Sequence, residues 1–217
     1  MTLTKHLLMC AVVFSIAVIG NSAHAGSGDA ALTNAALSCG DPGDPAIYID
    51  CGNGTVTDNR TGLTWLKNVG CLTMGTGGPS FAKLTWDRAT IEAHNLSDGM
   101  CGLTDGSTAG DWRMPTHEEW IEMVKDAIVP GPLPFPCLDP ALTNAAGDKC
   151  HNVDPIFTNF CGFGDNGDHY WSTTSVTGIV NTHVKLMDIY DGDETHTASK
   201  GSNQCVWPVR LTQGPGG

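Results

Sequence analysis

The sequence is short of basic residues: 11 Lys and Arg stand against 23 Asp and Glu, a formal net charge of −12. Nucleic acids are bound largely by neutralising phosphates with Lys and Arg, so this deficit argues against them as partners. It also opposes phosphate and sulfate ligands unless basic residues cluster locally. No apolar run reaches the roughly 20 residues of a membrane-spanning helix; residues 7–19 come nearest. Neither Cys-x-x-Cys nor Cys-x-x-Cys-His occurs, which leaves zinc-ribbon, iron–sulfur and c-type haem frameworks without support. A Gly-x-Ser-x-Gly elbow and a phosphate-cradling glycine loop are both absent. His94, His117, His151, His169, His183 and His196 are scattered, with no pair at ligand spacing on one helix. No catalytic constellation can be read from the chain.

What is present begins with an export signal. Lys5 and His6 precede the apolar residues 7–19, and Ala23, His24 and Ala25 follow. A short basic region, an apolar stretch and an Ala-x-Ala site together make a secretory signal peptide over residues 1–25. A lipid anchor on Cys10 does not fit, because the apolar stretch follows that cysteine instead of preceding it. Cleavage near Gly26 removes Lys5 and leaves ten basic against 23 acidic residues, a net −13. The plainest meaning of that charge is solubility in the periplasm or outside the cell.

The leader also takes Cys10, leaving Cys39, Cys51, Cys71, Cys101, Cys137, Cys150, Cys161 and Cys205. An even set behind an export signal points to disulfides. Eight cysteines allow about a hundred pairings, so spacing does not decide among them. Sequential bridging is the expectation: Cys39–Cys51, Cys71–Cys101, Cys137–Cys150 and Cys161–Cys205, the last tying late strands together.

Residues 26–45 are small, polar and turn-prone and form an arm; 46–213 form a single domain and 214–217 a tail. Twenty-seven glycines and 12 prolines imply many turns and long loops. Residues 47–49 are a short strand. Residues 55–65 read as a hairpin, two β-prone runs around the turn chemistry of Asp58, Asn59, Arg60, Thr61 and Gly62. Thr85 opens a helix carrying Trp86, Ala89, Ala93 and Leu96 on one face, with Gly99 beyond its end. Thr116 and Glu119 form a capping box for a second helix, whose apolar face is Trp120, Val124, Ala127 and Ile128 and which Pro130 stops. Residues 130–167 are irregular, and so long a loop within a compact domain is usually functional. Ala-Leu-Thr-Asn-Ala-Ala occurs at 31–36 and again at 141–146, too few copies for a solenoid. From Tyr170 the chain turns β-rich, with a turn at Asp191 and Gly192. Hairpins around two helices give an α+β fold.

Four signatures punctuate this order. They are Asn-Gly-Thr-Val-Thr-Asp-Asn-Arg-Thr-Gly-Leu at 53–63, with Trp-Leu-Lys-Asn at 65–68 and Cys71; Cys-Gly-Leu-Thr-Asp-Gly at 101–106, leading into Asp-Trp-Arg-Met-Pro at 111–115; Tyr-Trp-Ser at 170–172; and Val-Trp-Pro-Val-Arg at 206–210. In this order they resemble the Lcl C-terminal domain family, the domain of unknown function numbered 1566, over about residues 50–212. The resemblance implies a C-type-lectin-like α+β fold related to formylglycine-generating enzymes, with two helices, antiparallel hairpins and long disulfide-stapled loops. It also implies export and service as a module of bacterial surface, adhesive or envelope proteins. The namesake adhesin binds sulfated glycosaminoglycans through this domain. This chain lacks that adhesin's Gly-x-y tract, and its charge of −13 opposes a sulfated ligand.

Trp112, Arg113 and Trp171 have the chemistry of a sugar site, stacking and hydrogen bonding. In their positions before a capped helix and on a strand, the same residues serve equally as framework, and buried area is the chief contribution of Trp in a domain of this size. Asp188, Asp191, Asp193 and Glu194 offer hard oxygens of the kind calcium takes, although their spacing is not that of an EF-hand and a solvated turn explains them too. Asp165 and Asp168 form a second acidic loop of the same kind. The expected function is a secreted, non-enzymatic binding module for adhesion or envelope recognition, with a glycan or a surface protein as ligand. It would be held by loops 130–167 and 188–200, with calcium as the one cofactor left open. The alternatives are a formylglycine-generating-type oxidoreductase, which needs a reactive thiol pair, and a structural subunit of an oligomeric assembly.

Overall fold

A computed structural model describes residues 39–40, 43–73, 83–129, 133, 136–161, 169–178 and 181–212. The expected leader and most of the arm lie outside them. The first signature folds into β1 (Tyr48–Asp50), β2 (Thr55–Asp58) and β3 (Leu63–Leu66). The β2–β3 turn is built by Asp58, whose Oδ1 accepts the Arg60 N–H at 2.9 Å, and by Gly62, whose φ of 68° reverses the chain. β3 pairs in turn with β7 (Val209–Leu211), so the sheet is antiparallel in the order β1-β2-β3-β7. Trp65 stands opposite Val209, and Thr64 opposite Arg210.

Every residue of β2 and β3 is buried. A hairpin covered on both faces must satisfy its polar side chains internally. The hydroxyls of Thr57, Thr64 and Thr212 form a chain with steps of 3.4 and 2.9 Å. Asp58 pairs with Arg60, which also reaches Asp126 on the second helix.

Helix α1 (Trp86–Asn95) starts after Thr85 as the pattern predicts, but the Thr85 hydroxyl makes no capping bond. At the first turn the Trp86 N–H finds a tertiary partner, donating to the Lys200 carbonyl at 3.1 Å. Helix α2 (His117–Ile128) carries the full capping box, with Glu119 N donating to Thr116 Oγ1 at 3.1 Å and Thr116 N to Glu119 Oε2 at 2.8 Å. Its buried face is His117, Trp120, Met123, Val124 and Ala127.

A second antiparallel sheet follows, β4 (His169–Ser175), β5 (His183–Asp188) and β6 (Thr197–Ser199), in that order. Helix α2 packs against β4 and β5. Between helix and sheets lies an aromatic core in which Trp120 sits 5.1 Å from Trp65, 5.6 Å from Trp207 and 5.7 Å from Tyr170. The smaller residues Ala89 and Ala93 bring α1 close to Trp171, Val184, Leu186 and Val206 in a neighbouring cluster. The architecture is thus a mixed α+β fold with two helices and two antiparallel sheets.

The four disulfides are those of the sequential pairing: Cys39–Cys51, Cys71–Cys101, Cys137–Cys150 and Cys161–Cys205. Cys137–Cys150 closes the irregular segment after α2 on itself. Cys161–Cys205 is anchored where Trp171 N of β4 donates to the Cys205 carbonyl at 3.0 Å. Disulfides of this density belong to an oxidising compartment outside the cytoplasm. Among the described residues, no helix is long and apolar enough to cross a membrane.

Candidate functional site

Trp112 and Trp171 of the signatures are buried, whereas the Arg113 side chain remains 39% exposed. Trp112 is 1% exposed and its Nε1 donates to Ser107 Oγ at 3.0 Å. Trp171 is 0% exposed and its Nε1 donates to the Leu84 carbonyl at 2.7 Å. Arg113 holds both carboxylate oxygens of Glu119, at 2.7 and 2.6 Å, and so braces the start of α2. That bidentate pair keeps the Arg113 guanidinium above its ordinary pKa. Neither tryptophan presents a face on which a ligand could stack. Of the two roles their residue types allowed, burial gives the two tryptophans that of framework, while Arg113 braces α2 with part of its side chain in solvent. Asp165 and Asp168 lie outside the described residues.

Accessible apolar surface is found instead on the segment after α2. Leu133, Pro136, Leu138, Cys150, Asn152 and Val153 line a cleft of about 410 Å³, closed on one side by Asp148 and Lys149. Leu138 and Val153 remain 48% and 68% exposed. The backbone around them is nevertheless well tied. Cys137–Cys150 closes the loop, and the Asp139 and Ala141 N–H groups donate to Tyr190 and Ile189 carbonyls at 2.8 and 2.7 Å. Asn144 Oδ1 accepts from Asp148 N and Lys149 N at 3.1 and 3.2 Å. The adjacent His151 is buried, and its Nε2 accepts the Phe157 N–H at 3.0 Å and the Ile156 N–H at 3.2 Å. Burial draws its pKa down to about 4, which keeps the ring neutral and able to accept. A smaller groove of about 270 Å³ lies between Leu63, Leu211 and the α2 carboxylates of Glu118, Glu119 and Glu122.

The acidic group at 188–194 does not converge on one point. Asp188 Oδ1 accepts from Tyr190 N at 2.8 Å, Asp191 Oδ1 from Asp193 N at 2.9 Å, and Asp193 Oδ1 from Thr195 N at 2.8 Å. These are turns that use carboxylates as local caps. Glu194 contributes its main-chain carbonyl, 3.0 Å from His117 Nε2. What gathers around Asp188 is imidazole: His169, Asp188 and His196 offer one ligand atom each, all within 4.8 Å of one another. Among the described residues this is the one group of three or more His, Cys, Asp or Glu side chains so placed. His169 Nε2 lies 3.8 Å from Asp188 Oδ2, the two rings are 4.2 Å apart between centroids, and His196 Nε2 is 3.4 Å from Asp193 Oδ2.

The sequence placed Asp188 in a metal-binding group but passed over both histidines, because a search along helices cannot see a cross-strand pair. In the sheet His169 stands directly opposite Asp188. The Leu186 N–H donates to the His196 carbonyl at 2.9 Å, which sets His196 one diagonal step away. The available signal was the hairpin register: pairing Trp171 with Leu186 brings His169 onto Asp188. Leu138 and Val153 carried no signal at all, since an isolated apolar residue in a loop is common.

Among protein-family models, that of the Lcl C-terminal domain matches residues 54–210. Neither a curated protein nor a solved structure gives a match.

Proposed function

Because the chain belongs to the Lcl C-terminal domain family over residues 54–210, we propose that it is an exported, non-enzymatic binding module whose ligand seats in the cleft of the Cys137–Cys150 loop. The observation that carries this reading is the pair Leu138 and Val153, 48% and 68% exposed on backbone fixed by a disulfide and by the carbonyls of the turn after β5. Apolar side chains held rigidly at a surface gain by being covered. A preformed loop loses little entropy in binding. An apolar cleft with one lysine and one aspartate at its edge is suited to a segment of a surface protein. The same walls suit the hydrophobic face of a neutral sugar, and the overall charge disfavours sulfated glycans.

In this reading residues 46–213 act as one domain with C-type-lectin-like architecture, in the periplasm or at the cell exterior. Two helices, two antiparallel sheets and stapled loops support that comparison, and the role is adhesion or envelope recognition. The test is binding of oxidised protein to a glycan array and to a panel of envelope and surface proteins, in parallel with a Leu138→Asp, Val153→Asp variant. A ligand retained by the native protein and lost by the variant is the expected result. Blank panels, or a ligand held equally by both proteins, would overturn the reading.

A further inference from the structure

We infer that His169, Asp188 and His196 form a binding site for a divalent transition-metal ion of the zinc class. The three residues are brought together by the second sheet, not by a flexible loop. His169 opens β4, Asp188 closes β5 directly opposite it, and His196 immediately precedes β6. All ligand atoms lie within 4.8 Å. Zinc holds imidazole nitrogen and carboxylate oxygen at about 2.0–2.2 Å, which puts neighbouring ligands about 3.4 Å apart in a tetrahedron. His169 Nε2 and Asp188 Oδ2, at 3.8 Å, are already close to that spacing, and a contraction of at most about 1.4 Å completes the rest.

The donor set selects the ion. Two imidazoles and a carboxylate suit zinc and its first-row neighbours, whereas calcium takes six to eight oxygens. The carboxylates here are also half-committed: Asp188 and Asp193 each spend one oxygen on a backbone N–H, at 2.8 Å in both cases. What remains is Asp188 Oδ2 directed at His169, and Asp193 Oδ2 at 3.4 Å from His196. Asp193 therefore stands as the outer carboxylate that orients a metal-binding imidazole, an arrangement characteristic of such sites. Three protein ligands leave a fourth position open, as in zinc sites that hold water or an incoming donor.

The test is calorimetric titration of chelator-treated, fully oxidised protein with ZnCl2, and with CaCl2 in a second arm. One zinc per chain, no calcium heat, and a thermal midpoint that rises with zinc are expected, because an ion bound only by the folded state must stabilise it. His196→Ala changes a side chain that is 41% exposed and should leave the fold intact. That variant should weaken zinc binding about tenfold or more, and His169→Ala should abolish the one-to-one event. His183→Ala, a histidine outside the cluster, should bind as the native protein does. Cobalt(II) should give the visible absorption of a four-coordinate nitrogen–oxygen site in native protein and lose it in His196→Ala. The inference is overturned if zinc does not saturate at one per chain, if His196→Ala binds it unchanged, or if calcium occupies the site equally well.

Discussion

The Arg210 guanidinium donates to Asp105 at 3.1 Å across 105 positions of sequence, with the two side chains 3% and 0% exposed. Asp105 Oδ1 also accepts the Ser107 N–H and hydroxyl at 3.1 and 2.7 Å, and the same hydroxyl receives the Trp112 indole. Arg210 in turn lies 5.2 Å from the centre of the Trp112 ring. The second and fourth signatures are thus one buried polar knot, reinforced where Arg113 and Val209 exchange backbone bonds of 3.0 and 2.8 Å.

Removing one partner of that pair strands the other without water. Arg210→Met should cost about 3–5 kcal/mol, read as a lowered urea midpoint at unchanged slope. Adding Asp105→Asn should cost less than the sum of the two single changes, because the second substitution removes the charge that the first left unpaired. Strict additivity would show that the pair is not coupled.

Gly54 explains a further part of the first signature. Its φ is 88°, and a Cβ built there would lie 2.5 Å from the Gly102 carbonyl oxygen. Backbone cannot yield as a side chain tip can, so Gly54→Ala should cost roughly 2–4 kcal/mol from strain and overpacking. Gly52, with a φ of 68° and open space around it, is the matched control. Gly52→Ala bears only the left-handed backbone penalty, about 1 kcal/mol, and the two thermal midpoints should differ accordingly.

These two glycines show how far the sequence could be read. Both hairpins and the capping box at Thr116 and Glu119 are local, and local chemistry gave them away; the sequential disulfides were an expectation that spacing did not decide, with bridges as far apart as 44 residues. The closeness of Gly54 to Gly102, or of His169 to His196, depends on how distant segments dock, and no spacing rule encodes that. Thr85 does stand at the N-cap, but its hydroxyl makes no capping bond, and the Lys200 carbonyl that meets the first helical N–H comes from a distant segment that no local pattern announces. Trp112 and Trp171 carry the residue type of a sugar site, and only their burial distinguishes a framework tryptophan from a binding one.

His151 gives the fold a defined acid response. Its pKa in the folded state is drawn down to about 4 by burial, against about 6.5 when exposed. Above pH 6.5 neither state binds the proton and stability is unaffected. Between pH 6.5 and 4 the unfolded chain takes up a proton that the folded ring refuses, so stability falls with pH, by up to roughly 2–3 kcal/mol. Below pH 4 this contribution levels off. Urea midpoints of native and His151→Gln protein at pH 7.5, 5.5 and 4.5 isolate it. The variant should be weaker at pH 7.5, having lost an acceptor for two N–H groups, yet fall less steeply on acidification. Parallel slopes would remove His151 as the cause.

The Cys137–Cys150 bridge should separate stability from recognition. It spans 13 residues, and closing a loop of that size stabilises by roughly 3 kcal/mol. The aromatic core of Trp65, Trp120 and Trp207 lies in a different cluster from Cys137. A Cys137→Ala, Cys150→Ala protein should therefore keep its near-ultraviolet dichroism and cooperative melting, at a midpoint lowered by several degrees. Its cleft would not survive as well, because Cys150 is part of the wall that carries Leu138 and Val153. A ligand identified with the native protein should bind the bridge-less form at least about tenfold more weakly, since the loop must now be ordered at the moment of binding. Removing Cys39–Cys51, whose separation of 12 is nearly the same, supplies the comparison. Similar destabilisation with ligand affinity retained would place recognition in the 137–150 loop. Equal loss of affinity from both would place it elsewhere.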